Sequence, residues 1–205
     1  THNYCMGSPI QPGYMQQVGN LAKRYNLLIH VDGARIFNAA VALELDVKDL
    51  VREADSVMFC LSKGLSAPVG SLVCGNKKFI NRARKWRKMV GGGMRQSGHL
   101  AAAGIIALGE LVDRLKEDHS NAQALAQGLA RLKGIVLKPE LIKTNIIFFR
   151  LKHPTLSPQI FFKKLESQGI KILMMQVGVF RAVLHREISE SQIERVIRVS
   201  EELTK

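Results

Sequence analysis

The chain has 205 residues, 46% of them hydrophobic and 23% charged, enough to bury a core without disulfides or metals and too apolar for intrinsic disorder. Lys and Arg number 30 against 17 Asp and Glu, a net charge of +13, which points to an anionic partner such as nucleic acid, anionic lipid, or small phosphorylated and carboxylated ligands. No apolar run nears the roughly 18 residues of a membrane span, and Cys5, Cys60 and Cys74 form no C-x-x-C pair, which argues against a disulfide framework or a zinc finger.

Thr1 stands where Met would open a complete chain, so an internal piece of a longer protein is expected. The stretch to Gly13 reads as loop. Tyr14 to Tyr25 has helical spacing, with Met15, Val18, Leu21 and Ala22 on one face. Leu27 to Val31 is a short apolar run of strand length that stops at Asp32-Gly33. Ile36 to Glu44 is helical, Ser56 to Cys60 is a second buried strand, and Ser71 to Cys74 is a third. Asn76 to Met89 is a basic helix. This alternation predicts an α/β unit with a largely parallel sheet.

Past Gly91-Gly92-Gly93 the texture changes. His99 to Leu132 reads as long helix, with a break expected near His119-Ser120. Strands are expected at 135–137, 145–151, 171–174 and 179–185. Ser157-Pro158 opens a helix that Gly169 ends, and Ser189 to Gln192 is a capping box for the last helix. The expected division is a first domain over 1–117 and a small α+β domain over 118–205.

Ligands of open parallel sheets bind at the carboxyl ends of the strands. Asp32 closes the first strand, Lys63 follows the second, and Arg35 begins the next helix. A Lys amine forms a Schiff base with a cofactor aldehyde, and a carboxylate holds a pyridine nitrogen protonated. On spacing alone a plainer reading is favoured, in which Asp32 caps the following helix and Lys63 is solvated.

The motifs around these residues add to that reading. His30-Val31-Asp32-Gly33-Ala34-Arg35 with Phe37-Asn38-Ala39 resembles the aspartate motif of the low-specificity L-threonine aldolases. Cys60 to Leu65, followed by Ala67-Pro68-Val69-Gly70-Ser71, resembles that family's cofactor-lysine segment. Arg84 to Lys88 with Gly91-Gly92-Gly93-Met94-Arg95-Gln96 resembles its next signature. Thr1-His2-Asn3 matches the segment before the aspartate strand, and Phe180 to His185 resembles the C-terminal arginine motif.

The resemblance implies a pyridoxal 5'-phosphate enzyme of fold type I, here as an incomplete large domain plus the small C-terminal domain. It implies Lys63 as the Schiff-base lysine, Asp32 at the pyridinium nitrogen and Arg35 at the phenolate oxygen. Arg95 would reach the cofactor phosphate, Arg181 would hold the substrate carboxylate, and Lys88 would lie near the same site on the substrate side. The implied reaction is retro-aldol cleavage of L-threonine or L-allo-threonine to glycine and acetaldehyde. The implied partners are a small β-hydroxy-α-amino acid and further copies of the full-length protein, as homodimer or homotetramer, with no metal, nucleic acid or membrane. The expected compartment is the cytoplasm, with a mitochondrial one left open.

The family's phosphate loop and ring-stacking histidine lie upstream of the segment matched here. Two alternatives therefore stand beside the aldolase: a truncated non-catalytic pseudoenzyme, and another fold type I β-eliminating lyase. The basic stretch Lys77 to Arg95 reads as a solvated helix edge facing a phosphate or a subunit interface, in preference to a nucleic-acid surface. His30 is expected in the core, and His2 near the active site.

Overall fold

A computed structural model describes residues 5–205. The expectations for Thr1, His2 and Asn3 lie outside the described residues. The chain divides into two compact units, Ile10–Leu115, and a second made of residues 5–9 and Lys116–Lys205.

The first unit opens with α1 (Pro12–Arg24), which has Pro in its first turn and Lys23 and Arg24 in its last. Both features suit the orphan amides and the macrodipole of a helix. Gly19 faces the Glu53 side chain, whose carboxylate takes Lys23 Nζ at 2.7 Å. Three strands follow, β1 (His30–Asp32), β2 (Ser56–Cys60) and β3 (Ser71–Gly75). Between the first two stand α2 (Ile36–Leu43) and α3 (Val47–Leu50).

β1 and β2 are parallel, with Asp32 opposite Met58. β3 runs antiparallel to β2, with Ser71 opposite Cys60 and Gly75 opposite Ser56. The sheet is thus mixed, and the expected largely parallel arrangement holds for one of its two pairings. The connection explains this. A parallel crossover takes about a dozen residues or more, usually a helix, whereas the loop from Leu61 to Gly70 contains no helix and closes on itself through Leu61 N–H to the Gly70 carbonyl at 2.9 Å.

Burial is also thinner than expected. β2 is half-buried beyond Ser56, and β3 is exposed along its length. The strand predicted from Leu27 begins only at His30; Leu28 is 84% exposed. Pairing starts where Ile29 N–H reaches Asp55 Oδ2 at 2.8 Å, and Leu27 N–H instead closes the end of α1 on the Ala22 carbonyl. His30 is exposed, contrary to the core placement expected for it, and its Nδ1 shares a 2.8 Å hydrogen bond with Ser56 Oγ. On α1 Ala22 is buried, but Leu21 is exposed.

The first unit continues with α4 (Lys77–Met89), capped by Asn76 Oδ1 on Phe79 N–H, and α5 (Gly98–Glu110). α6 (Leu115–Ala130) begins after a turn at 111–114. The break expected at His119-Ser120 therefore falls earlier. The turn lets Val112 and the fully buried Leu115 pack with Leu61, Leu65, Ala67 and Ala107, and that apolar gain outweighs continued helix.

The second unit carries a four-stranded antiparallel sheet of β4 (Ile135–Val136), β5 (Ile146–Leu151), β6 (Leu173–Gln176) and β7 (Val179–Val183), ordered β4-β5-β7-β6. α7 (Pro158–Ser167) and α8 (Glu190–Thr204) pack with α6 against one sheet face. Phe180 is fully buried, stacked on Phe149 at 5.2 Å and edge-on to Phe161 at 5.4 Å. The predicted capping box is present, with Gln192 Oε1 accepting from Ser189 N–H at 2.8 Å. Gly7 adopts φ +66 and rests on Thr144, whose hydroxyl donates to the Gly7 carbonyl at 2.8 Å. This ties the early segment to residues 137 positions away.

Candidate active site

Two adjacent parallel strands deliver Asp32 and the Lys63 loop to one sheet edge. Asp32 is the last residue of β1, and Lys63 stands three residues past the end of β2. Both side chains are exposed there. Asp32 Oδ1 accepts from Ala34 N–H at 3.0 Å, so the plainer capping role is present in part. One oxygen ties down the turn into α2.

Both loops are held by glycines. Gly33 N–H donates to the Met58 carbonyl at 2.8 Å, and a Cβ on Gly33 would stand 2.8 Å from that same oxygen. Any side chain there would push β1's end off β2. Gly64 faces Leu115 and Asn38, where a Cβ would stand 2.8 Å from Leu115 Cδ2 and 3.1 Å from Asn38 Oδ1. Asn38 is 2% exposed on α2, the helix that Asp32 leads into. The Lys63 loop therefore rests on the helix that the Asp32 turn begins.

Inside the lysine loop, the Lys63 carbonyl accepts from Ser66 N–H at 2.9 Å, and Ala67 N–H reaches the Leu61 carbonyl at 3.0 Å. Ser66 adopts φ +59, a left-handed conformation uncommon for a residue with a side chain. Leu61, Leu65 and Ala67 are buried while Lys63 points out. The loop is a folded platform for one amine.

Arg35 is the N-cap residue of α2, half-buried, three residues from Asp32. Lys88 lies in the last turn of α4 with its chain folded over Gly93: a Cβ on Gly93 would stand 3.2 Å from Lys88 Cδ. Arg95 follows two residues later and is exposed. Gly91 takes φ +79, which turns the chain sharply after α4 and brings Gly93 back onto Lys88. Arg181 belongs to the second unit, buried on β7 opposite Phe148 and Leu173. Asp32, Arg35 and Lys63 are thus gathered at one strand edge. Lys88 and the approach to Arg95 are gathered at a glycine turn.

Sequence reasoning assigned no role to Asn38 or to Gly64 as a packing pair. The signal was available only as a polar residue in an apolar helix, and its meaning depends on the Leu61–Gly70 loop folding over it. Among the described residues no group of three His, Cys, Asp or Glu could hold a metal, and no helix is long and apolar enough to cross a membrane.

This architecture is that of the pyridoxal-phosphate enzymes of fold type I. A putative L-allo-threonine aldolase from Listeria monocytogenes EGD-E superimposes with a TM-score of 0.82 at 17% identity, over 98% of this chain and 59% of that one. Leishmania major threonine aldolase gives 0.74 at 19% identity, over 98% and 58%. Sphingomonas wittichii serine palmitoyltransferase gives 0.71 at 22%, over 98% and 52%.

Residues 1–152 match the beta-eliminating lyase family, and the chain belongs to it. A probable low-specificity L-threonine aldolase 2 of Arabidopsis thaliana is 44% identical over 204 residues, covering 99% of this chain and 58% of its own. The low specificity L-threonine aldolase of Escherichia coli (strain K12) is 41% identical over 196 residues, covering 96% and 56%. The chain spans a little over half the length of these relatives.

Proposed function

We propose that this chain contributes to a pyridoxal-phosphate-dependent lyase that cleaves L-threonine or L-allo-threonine to glycine and acetaldehyde. The observation that carries the reading is the delivery of Asp32 and Lys63 by neighbouring parallel strands, the Asp32 turn being held on β2 at Gly33 and the Lys63 loop being seated on α2 at Gly64 and Asn38. The names of the relatives supply the reaction class.

The donor set fits the cofactor. Lys63 Nζ is a solvent-facing primary amine on a rigid loop, able to react with an aldehyde. Asp32 keeps one oxygen beyond its turn contact for a pyridine nitrogen, and a carboxylate there holds a proton on that nitrogen. Arg35 would donate to the phenolate oxygen. Arg95 would meet the phosphate, with Lys88 beside it on the substrate side. Arg181 would take the substrate carboxylate, since a planar guanidinium matches it through two parallel N–H bonds. When bound, the cofactor supplies an electron sink. The share of these residues is to bind and orient the amino acid. Related copies of the chain would assemble as homodimer or homotetramer, and the first domain would close at about residue 117.

Product analysis with L-allo-threonine tests the reading. Acetaldehyde and glycine in equal amounts are expected; ammonia and a keto acid would transfer the site to a β-eliminating reaction, and no product would favour the non-catalytic alternative.

A further inference from the structure

The second unit contains a cavity of about 140 Å³ that none of the residues above uses. It lies between β5, β7 and helices α6, α7 and α8, and its floor is apolar: Leu125, Leu129, Phe149, Leu165 and Ile193, each less than 5% exposed. An apolar space of roughly 150 Å³ is large enough for a benzene-sized guest. The exposed lining residues, which mark the mouth, are Gly169, Lys171, Gln192 and Arg195.

The mouth has one sign of charge, because Lys171 and Arg195 line it and no Asp or Glu does. Arg195 Nη2 donates to the Gln168 carbonyl at 2.6 Å, so its guanidinium is held over the end of α7 with other N–H groups left over, and Lys171 lines the same cavity. That contact also covers the carbonyl end of α7, which would otherwise repel an anion. The mouth is not crowded at Gly169, where a Cβ would meet nothing within 4 Å.

We infer that this cavity binds a small apolar monocarboxylate of four to six carbons, its chain among Leu125, Leu129 and Ile193 and its carboxylate between Lys171 and Arg195. The chain length follows from the volume, and the headgroup follows from the charge of the mouth. The site lies wholly within the second unit and does not depend on the cofactor reading.

The test is titration of the 205-residue chain with hexanoate, hexan-1-ol and hexylamine, read by methyl NMR of Leu125, Leu129, Leu165 and Ile193. Hexanoate is expected to give saturable shifts at these methyls and to bind roughly tenfold more tightly than either control, the size of one charge-assisted contact. The double variant Lys171→Gln/Arg195→Gln is expected to remove that preference while leaving hexan-1-ol binding unchanged. Val196→Phe, which fills the cavity, is expected to abolish both. Absence of saturable shifts, or equal binding of the three probes, overturns the inference. The wild-type probe series decides even where a variant does not fold.

Discussion

Gly64 lies against Asn38 so closely that a Cβ on the glycine would stand 3.1 Å from the amide oxygen, and 2.8 Å from Leu115 Cδ2 on its other side. Asn38 is 2% exposed and Leu115 fully buried, so neither neighbour gives way easily. The lysine loop is seated on α2 by the absence of one methyl group. Gly64→Ala is expected to destabilise the chain by about 1–3 kcal/mol, the usual cost of overpacking. Urea unfolding checks this, and an unchanged midpoint would mean that the loop is not seated as described.

Gly33 makes the matching contact on the other loop. A Cβ there would meet the Met58 carbonyl, a backbone atom, at 2.8 Å. Gly33→Ala is expected to displace the end of β1 from β2 and lower cofactor affinity more than it lowers stability. Cofactor titration of the variant beside its unfolding curve distinguishes the two. Intact affinity would show that the Asp32 turn needs no fixed place on β2.

Phe161 is fully buried against Phe180 in the second unit. Phe161→Ala removes the ring and leaves a cavity, at a cost of about 3–5 kcal/mol. Urea unfolding measures the loss, and an unchanged midpoint would contradict the packing described.

His119 has its pKa lowered from 6.5 to about 4 by burial, which disfavours the charged ring. The folded value lies below the unfolded one, so as pH falls below 6.5 the unfolded chain binds the proton first. Stability is therefore complete above pH 6.5 and declines down to about pH 4, by an amount on the order of 2–3 kcal/mol. Urea midpoints across that window should fall with pH in the native chain and flatten in His119→Gln. A native slope unchanged by the substitution would place the titration elsewhere.

Much of this was legible from local pattern. Ser157 and Ser189 cap the helices their positions announce, because capping depends only on residues within one turn. The strand ends at Asp32 and Cys60 were legible for the same reason. What escaped depended on distant partners. Leu27 and Leu28 read as a buried strand, yet β1 pairs with β2 only from His30 onward and both leucines are exposed. The reversal of β3 hangs on a helix-free loop, and the break before Leu115 on a cluster around Leu61. The Gly7–Thr144 tie joins residues that no window reading compares. The site followed the same division: Asp32 and Lys63 stand out by spacing and resemblance, whereas the Gly64–Asn38 seat becomes visible only when the loop is folded.

The central claim is that Lys63 carries the cofactor. Borohydride reduction of the chain with pyridoxal phosphate, followed by peptide mapping, tests it directly. The account predicts a pyridoxyl group on the peptide containing Lys63, lost in Lys63→Ala and diminished in Asp32→Asn. Label spread over the α4 lysines, with Lys63 no more modified than its neighbours, would contradict it.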